Sequence, residues 1–306
     1  MAATRLSLSA RQLHQTLPLH NGRTLGYAEY GPATGFPLLY FHGFPSSRLE
    51  ASELVNIANR RKLRIIAPDR PGFGLSTFQP NRRIMDWPAD VDALTNHLGL
   101  SKYAIMGGSG GGPYAVACAH ALPSDRLSAV GVLAGSGPWT AGTEDVTLSR
   151  KMTAFGAKHF PRGLTGLGNG IIGTLRWGTA TSPGKRWMDN YLNNIEQDFE
   201  GKDLPVEERR DQILQILFEG FAQGSRATVQ EAGLLTQDWG FKLEDVSYNK
   251  IQMWHGTKDE NSPIRMMRYM AERLPHCELH ESDEDHYTIA QHLEDILTEF
   301  LPETAR

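Results

Sequence analysis

A serine flanked by glycines has surroundings typical of a nucleophile. Ser109 lies in the run Gly107-Gly108-Ser109-Gly110-Gly111, between an apolar strand-like segment and an alanine-rich helical one. A serine at so tight a turn takes a strained backbone conformation, and its glycine neighbours remove Cβ atoms that would clash with nearby backbone. Its hydroxyl would then be exposed above a sheet, beside N–H groups at a helix N-terminus that suit an anion. A glycine-rich turn without chemistry is the alternative.

A serine hydroxyl becomes a nucleophile when a base takes its proton and a third group orients that base. We predict His286 as the base and Asp259 as the acid, because each follows a strand-like segment after Ser109 in the chain. Glu260 is the neighbouring alternative to Asp259. The competing histidines are His42, His255, His276 and His280. The alternative for His286 itself is a surface residue in the acidic loop 283–285.

The elements that must position these residues follow the rhythm of an α/β protein. A hairpin with Asn21-Gly22 at its turn begins at residue 17. Strand-like and helical segments then alternate to residue 134, and strand-like segments return at residue 251. Such alternation predicts a parallel sheet with helices on both faces, whose carboxyl-end loops carry the chemistry. Between 138 and 246 the pattern is helical, which predicts an inserted cap.

The predicted domains are therefore a core in two parts, 1–137 and 247–306, and a helical cap at 138–246. Residues 1–16 form an N-terminal arm. The predicted cap helices span 148–160, 164–177, 185–197, 206–223 and 227–237.

Composition limits the class of partner. The 306 residues carry a net charge of −4 without long single-sign runs, which argues against nucleic acid or an anionic membrane as the main partner. No apolar stretch is long enough to predict a membrane span, and no spacing predicts a metal site. Cys118 and Cys277 are predicted to be buried free thiols, which suits a reducing compartment. We expect a cytoplasmic protein; the arm, with Arg5 and Arg11 and no acid, gives a weaker mitochondrial alternative.

From residue 17 to 301 the chain resembles the α/β-hydrolase superfamily. The resemblance rests on motifs in a shared order: His42-Gly43-Phe44-Pro45, Asp69-Arg70-Pro71-Gly72-Phe73-Gly74, Gly107 to Gly111, Gly256-Thr257-Lys258-Asp259, and His286. It implies a mostly parallel eight-stranded sheet, a helical cap, and the triad Ser109, Asp259 and His286. In the family loop a glycine usually precedes the histidine, where this chain has Asp285. Asp69 and Arg70 are expected to be structural.

The same geometry predicts an oxyanion hole, since a tetrahedral intermediate needs two aimed donors. Gly110 N–H would supply one and Phe44 N–H the other, because Pro45 has no N–H. The resemblance implies a structural role for His42, which is also a candidate for contact with substrate. The predicted substrate-binding residues are His42, Phe44, Gly108, Trp139, Trp177 and Trp187.

The resulting hypothesis is a serine hydrolase without cofactor or metal, cleaving a carboxylic ester, lactone or thioester of a small apolar molecule through an acyl-enzyme. The resemblance implies that dehalogenases and epoxide hydrolases of this fold use a carboxylate nucleophile, so Ser109 argues against them. Hydrolysis of a C–C bond, acyl transfer and perhydrolysis would use the same triad. A ligand-binding receptor with little turnover is an alternative from another class. The sequence does not determine the oligomeric state, for which a homodimer is one alternative.

Overall fold

An eight-stranded sheet organises the computed structural model, which describes residues 10–194 and 204–302. Its strands are β1 (Gln15–Pro18), β2 (Thr24–Tyr30), β3 (Phe36–Phe41), β4 (Leu63–Pro68), β5 (Tyr103–Gly108), β6 (Leu127–Leu133), β7 (Ile251–Gly256) and β8 (Cys277–Ser282). They are arranged in the order β1-β2-β4-β3-β5-β6-β7-β8. β1 pairs antiparallel with β2 and β2 with β4, while every other pair is parallel. The predicted fold class and N-terminal hairpin are confirmed.

Helices cover both faces of this sheet. On one face α3 (Trp87–His97), α4 (Gly112–Ala121) and α10 (Ile264–Arg273) pack on the strands. On the other lie α2 (Val55–Arg60) and α11 (Leu293–Phe300). β5 is buried along its whole length because helices cover it on both sides, which explains its unbroken apolar sequence. A four-residue helix, α1 (Ala10–Leu13), precedes β1.

Between β6 and β7 the described residues form helices and no strand. These are α5 (Leu148–His159), α6 (Pro161–Ala180), α7 (Ser182–Asn194), α8 (Val206–Glu219) and α9 (Arg226–Leu235). The inserted helical block is therefore present, while the exact domain boundaries stay a prediction. α6 extends beyond its predicted range at both ends. At its start this is possible because proline is well tolerated in the first turn of a helix, where Pro161 lies. The last residues of the helix predicted at 185–197 lie outside the described part.

The helical segment after β3 is not α-helical throughout. It begins as a 3-10 segment, Arg48–Leu54, and becomes α-helical at Val55. The Ser262 hydroxyl donates to the Gly135 carbonyl at 2.7 Å, and α10 starts at Ile264. Cys118 is a buried free thiol as predicted, whereas the free thiol of Cys277 is only half-buried. Among the described helices, none combines the length and apolar character needed to cross a bilayer.

Candidate active site

The serine turn has the strain that its sequence predicts. Ser109 follows β5 with φ of 48°, in the left-handed region that a residue with a side chain rarely adopts. A Cβ on Gly107 would collide with the Gly111 backbone, and one on Gly111 with the Phe41 carbonyl. The chain can therefore turn this tightly only with glycine at both positions. Ser109 itself remains partly exposed at the carboxyl edge of the sheet.

His286 lies between the serine and an aspartate. Its Nε2 is 3.0 Å from Ser109 Oγ, and its Nδ1 is 2.7 Å from Asp259 Oδ2. Since a carboxylate can only accept, Nδ1 carries the proton and Nε2 is free to accept the serine proton. The structure thus brings together residues 177 and 27 positions apart in the chain, as the sequence predicted. Glu260, the alternative to Asp259, does not occupy this position.

Asp259 is held by donors on both carboxylate oxygens. Ser262 N–H donates to Oδ1 at 2.7 Å, and His255 Nε2 lies 3.2 Å from Oδ2. His255 Nε2 is also 2.7 Å from the Ser262 carbonyl, which requires a proton on that nitrogen. Burial lowers the pKa of His255, so it serves as a neutral donor beside the acid. His255, one of the competing histidines in the sequence, therefore lies beside the acid of the triad.

Asp285 replaces the expected glycine and organises the turn that carries His286. Its Oδ1 accepts the N–H groups of Tyr287 at 2.8 Å and Thr288 at 2.9 Å. In return, the Thr288 hydroxyl accepts Asp285 N–H at 2.9 Å. These backbone bonds lower the pKa of Asp285, so it remains ionised. The departure from the family pattern therefore replaces a flexible residue by a side-chain cap.

The two predicted oxyanion donors lie side by side. A Cβ built on Gly110 would be 3.3 Å from Phe44 N and 2.6 Å from Phe44 Cβ, so the two residues are in close contact. A Cβ on Gly43 would be 3.5 Å from Ser109 Cβ, which places the loop against the nucleophile. Within the described residues, Phe44 N–H has no acceptor, which leaves it available for a substrate oxygen.

A carboxylate missed by sequence analysis supports this loop. Glu50 accepts Gly43 N–H through both oxygens, at 2.9 and 3.0 Å, and the Tyr40 hydroxyl at 2.8 Å. The Tyr40 hydroxyl also fills the space beside Gly108, 2.6 Å from where a Cβ would be. Glu50 and Tyr40 thus join the oxyanion loop to the serine turn. A charged residue in a helical segment gave no signal of this role.

His42 has a structural role, and its prediction as a substrate-binding residue is wrong. It has 0% exposure; its Nδ1 donates to the Gly43 carbonyl at 2.8 Å, and its Nε2 accepts Arg70 N–H at 3.2 Å. Burial, aided by the positive charge of Arg70, lowers its pKa. Asp69 is likewise structural: it accepts the backbone N–H groups of Arg48 at 2.6 Å and Leu75 at 2.9 Å.

A buried charge cluster joins the cap to the oxyanion loop. The Arg70 guanidinium donates to the carbonyls of His42 and Gly43 and, at 2.7 Å, to Glu231 of α9. Arg82 also contacts Glu231, and all three charged side chains are at most 2% exposed. Burial alone would raise the pKa of Glu231, but the two arginines lower it.

The predicted cap tryptophans do not line an enclosed site. Trp177 is 73% and Trp187 67% exposed, and Trp187 stacks on Tyr191 instead. Trp139 is half-buried against the core after β6, so its contact with substrate stays a prediction, as do those of Phe44 and Gly108.

Arg150 of α5 is a cation of the cap whose pKa is affected by Asp259. Burial lowers the pKa of Arg150 while the negative charge of Asp259 raises it, and its Nη1 has no partner in the described part of the chain. No motif surrounds this residue in the sequence. The described residues contain no group of three or more His, Cys, Asp or Glu side chains arranged to bind a metal.

Comparison with known proteins agrees with this architecture. A family described as alpha/beta hydrolase fold matches residues 37–293. A non-heme chloroperoxidase of Streptomyces lividans is 35% identical over 117 residues, which are 38% of this chain and 42% of the relative. Haloalkane dehalogenase 2 of Mycobacterium tuberculosis is 35% identical over 113 residues, or 36% of this chain and 38% of the relative. The chain thus spans about two-fifths of the length of these curated relatives.

Solved structures share the fold over nearly the whole chain. Bromoperoxidase from Bacillus anthracis is 19% identical, with a TM-score of 0.63 over 94% of this chain and 99% of that one. The enol-lactonase from Burkholderia xenovorans is 18% identical, with a TM-score of 0.61 and the same coverage. At such identities these likenesses establish the fold and leave the reaction open.

Proposed function

Because this chain belongs to the α/β-hydrolase fold family, we propose that it is a serine hydrolase acting on a carboxylic ester, lactone or thioester of a small apolar molecule. The observation that carries the proposal is the position of His286, within hydrogen-bond distance of both Ser109 Oγ and Asp259 Oδ2. An apolar acyl group is supported by Phe44 and Leu235, which border Gly110 beside the nucleophile.

In the proposed acylation step, Ser109 Oγ attacks the substrate carbonyl carbon while His286 Nε2 takes the hydroxyl proton. Asp259 keeps the resulting imidazolium oriented and stabilises its charge. The N–H groups of Gly110 and Phe44 would bind the carbonyl oxygen as it becomes an oxyanion. His286 then gives its proton to the leaving alcohol or thiol, and the tetrahedral intermediate collapses to an acyl-enzyme.

In the proposed deacylation step, a water molecule repeats the cycle. His286 Nε2 takes a proton from the water, whose oxygen attacks the acyl carbon. The second tetrahedral intermediate uses the same two N–H donors. Collapse releases the acid and returns the proton to Ser109 Oγ, so the enzyme is regenerated without an external reagent.

The test is covalent labelling by a fluorophosphonate, read by intact mass, together with turnover of p-nitrophenyl acetate. We expect one label per chain and measurable turnover in the wild type, and neither in Ser109→Ala. Ser101→Ala, which removes an exposed hydroxyl on a loop, is the matched control and should behave as wild type. Labelling without turnover of any ester, lactone or thioester would favour the receptor alternative. Absence of labelling in the wild type would refute an activated serine.

Perhydrolysis is the second candidate, favoured by the likeness to a non-heme chloroperoxidase. Hydrogen peroxide would replace water in deacylation and release a peracid from the same acyl-enzyme, with no change in oxidation state of the protein. Peracid formation from acetate and peroxide, measured by bromination of a dye, should then depend on Ser109. Activity retained in Ser109→Ala would exclude this route.

A further inference from the structure

Three neighbouring cap helices expose large apolar side chains to an unusual degree. None of the residues of α5, α6 or α7 for which burial is described is fully buried. The apolar residues 46–73% exposed on these helices and their junction are Leu148, Met152, Phe155, Phe160, Leu167, Ile171, Leu175, Trp177, Trp187 and Tyr191. Summed over these side chains, the exposed apolar area is on the order of 1,000 Å², whereas exposed apolar side chains on a monomer are usually scattered singly. We call this set the apolar cap surface.

Part of this surface is arranged as stripes. On α5, Leu148, Met152 and Phe155 follow the spacing of one helix face, and on α6 Leu167, Ile171 and Leu175 do the same. The rings of Phe155 and Phe160 lie 6.1 Å apart at the junction of the two helices, which makes the stripes continuous there. Together with Gly166 and Gly170, the α6 stripe forms a shallow groove that no described side chain fills.

The charge of the same helices differs sharply from that of the remaining chain. Residues 148–194 contain seven basic residues and a single acid, a formal charge of +6, whereas the whole chain carries −4 and the remainder therefore −10. The acid, Asp189, is engaged with Arg210 at 2.8 Å. In the described part of the chain, no carboxylate pairs with the basic side chains of Lys151, Lys158, Arg162, Lys185 or Arg186.

Two of these cations lie beside the α5 stripe. Lys151 is three residues from Leu148 and four from Phe155, and Lys158 is three from Phe155, so they are neighbours on the helix surface. Lysines beside a lipid-facing stripe can extend their charged ends to head groups while their stems stay in apolar contact. Helices that lie in a membrane interface typically carry Trp, Phe and Leu on one face, with Lys and Arg beside them.

We propose that the apolar cap surface docks on an anionic lipid bilayer, with α5 and α6 lying in the interface. The charge pattern selects this occupant over a second copy of the chain. A two-fold dimer through this face would bring two equally basic surfaces together, whereas anionic head groups compensate the charge. The net charge of −4 for the whole chain does not reveal that residues 148–194 are basic and the remainder acidic.

The test uses Ser109→Ala protein, so that lipid turnover cannot interfere, and vesicles of phosphatidylcholine with or without 30% phosphatidylglycerol. Cosedimentation should show at least tenfold stronger partition to the anionic vesicles, weakening as salt is raised. Replacing Met152 and Phe155 by serine should lower partition at least tenfold, equivalent to about 1.4 kcal/mol.

Variants with the same change in net charge distinguish binding through the apolar cap surface from attraction by the total charge of the protein. Lys151→Glu with Lys158→Glu should abolish the anionic preference, whereas Lys102→Glu with Lys250→Glu, exposed lysines of the sheet domain, should leave it intact. Circular dichroism establishes that each variant is folded. The proposal is overturned if the protein does not bind the anionic vesicles, or if the Lys151/Lys158 and Lys102/Lys250 double variants lose anionic binding equally. It is also overturned if sedimentation equilibrium shows a dimer that the Met152/Phe155 variant dissociates. These outcomes leave serine labelling, and so the proposed function, unaffected.

Discussion

Replacing Asp259 by asparagine tests whether Asp259 determines which nitrogen of His286 carries the imidazole proton. The carboxylate accepts two hydrogen bonds: one from Ser262 N–H on Oδ1 and one from His286 Nδ1–H on Oδ2. An asparagine that keeps its oxygen on Ser262 N–H must turn its NH₂ toward His286 Nδ1. The opposite orientation would place NH₂ against Ser262 N–H, two donors face to face. The structure therefore favours the first orientation in Asp259→Asn.

In that orientation His286 Nδ1 must accept, which moves the imidazole proton to Nε2. An Nε2 that carries a proton cannot take one from Ser109, so the general base is lost although the geometry is intact. The corresponding substitution in a serine protease lowers kcat about 10⁴-fold. We expect a loss of the same order here, equivalent to about 5.4 kcal/mol of transition-state stabilisation at 1.36 kcal/mol per tenfold.

The assay compares p-nitrophenyl acetate turnover and the rate of fluorophosphonate labelling in wild type and Asp259→Asn. Part of the lost rate should return at high pH, where hydroxide removes the serine proton. Asp283→Asn is the matched control, because that side chain is 82% exposed and pairs with Lys258 in the same loop. If Asp259→Asn retains more than a tenth of the wild-type rate while Asp283→Asn is normal, the tautomer argument is refuted.

Three further changes probe the supporting structure. Gly110→Ala should lower kcat by about 10²-fold, because the new methyl group displaces Phe44 and with it an oxyanion donor, as steady-state kinetics would measure. Glu50→Ala should lower kcat about tenfold with little change in KM, since Gly43 loses its anchor, and Glu50→Gln should restore most of it. Glu231→Gln should destabilise the fold by about 3 kcal/mol in urea unfolding, because it leaves two arginines buried without a counter-charge. The pKa of Glu231 is lowered in the folded state, so its stabilisation is full above the unfolded value of about 4.3 and is lost as pH falls below it.

Matched controls isolate these effects. Gly163→Ala places a methyl group in open space and should leave kcat unchanged. Glu294→Gln removes a half-exposed partner of Arg60 and should cost less than about 1 kcal/mol. Equal kinetic losses in Glu50→Ala and Glu50→Gln would show that charge, and not the anchoring of Gly43, matters. A stability difference for Glu231→Gln that is unchanged between pH 7 and pH 3 would contradict its linkage to Glu231 ionisation.

The sequence alone determined the fold class and the candidate triad. Strand-like apolar runs that alternate with helical segments are typical of a parallel sheet covered by helices, and the glycines around Ser109 are typical of a tight turn between strand and helix. Because parallel strands end at one edge, residues following β5, β7 and β8 could be expected to meet. Ser109, Asp259 and His286 could therefore be predicted as candidates from the motifs and their order in the resembled fold, with Glu260 left as the alternative acid, and the inserted helices from their periodicity.

Tertiary structure alone decided which other side chains reach that edge. Glu50 and His255 carry no local pattern, because their roles depend on how the loops after β3 and β7 fold back onto partners four to ten residues away. The sequence could not distinguish tryptophans that face a site from Trp177 and Trp187, which face outward, because helical periodicity identifies an apolar face but not what covers it. The basic character of residues 148–194 can be read from the sequence, although the net charge of the whole chain cancels it. Only the structure shows that the large apolar side chains of the same helices are exposed.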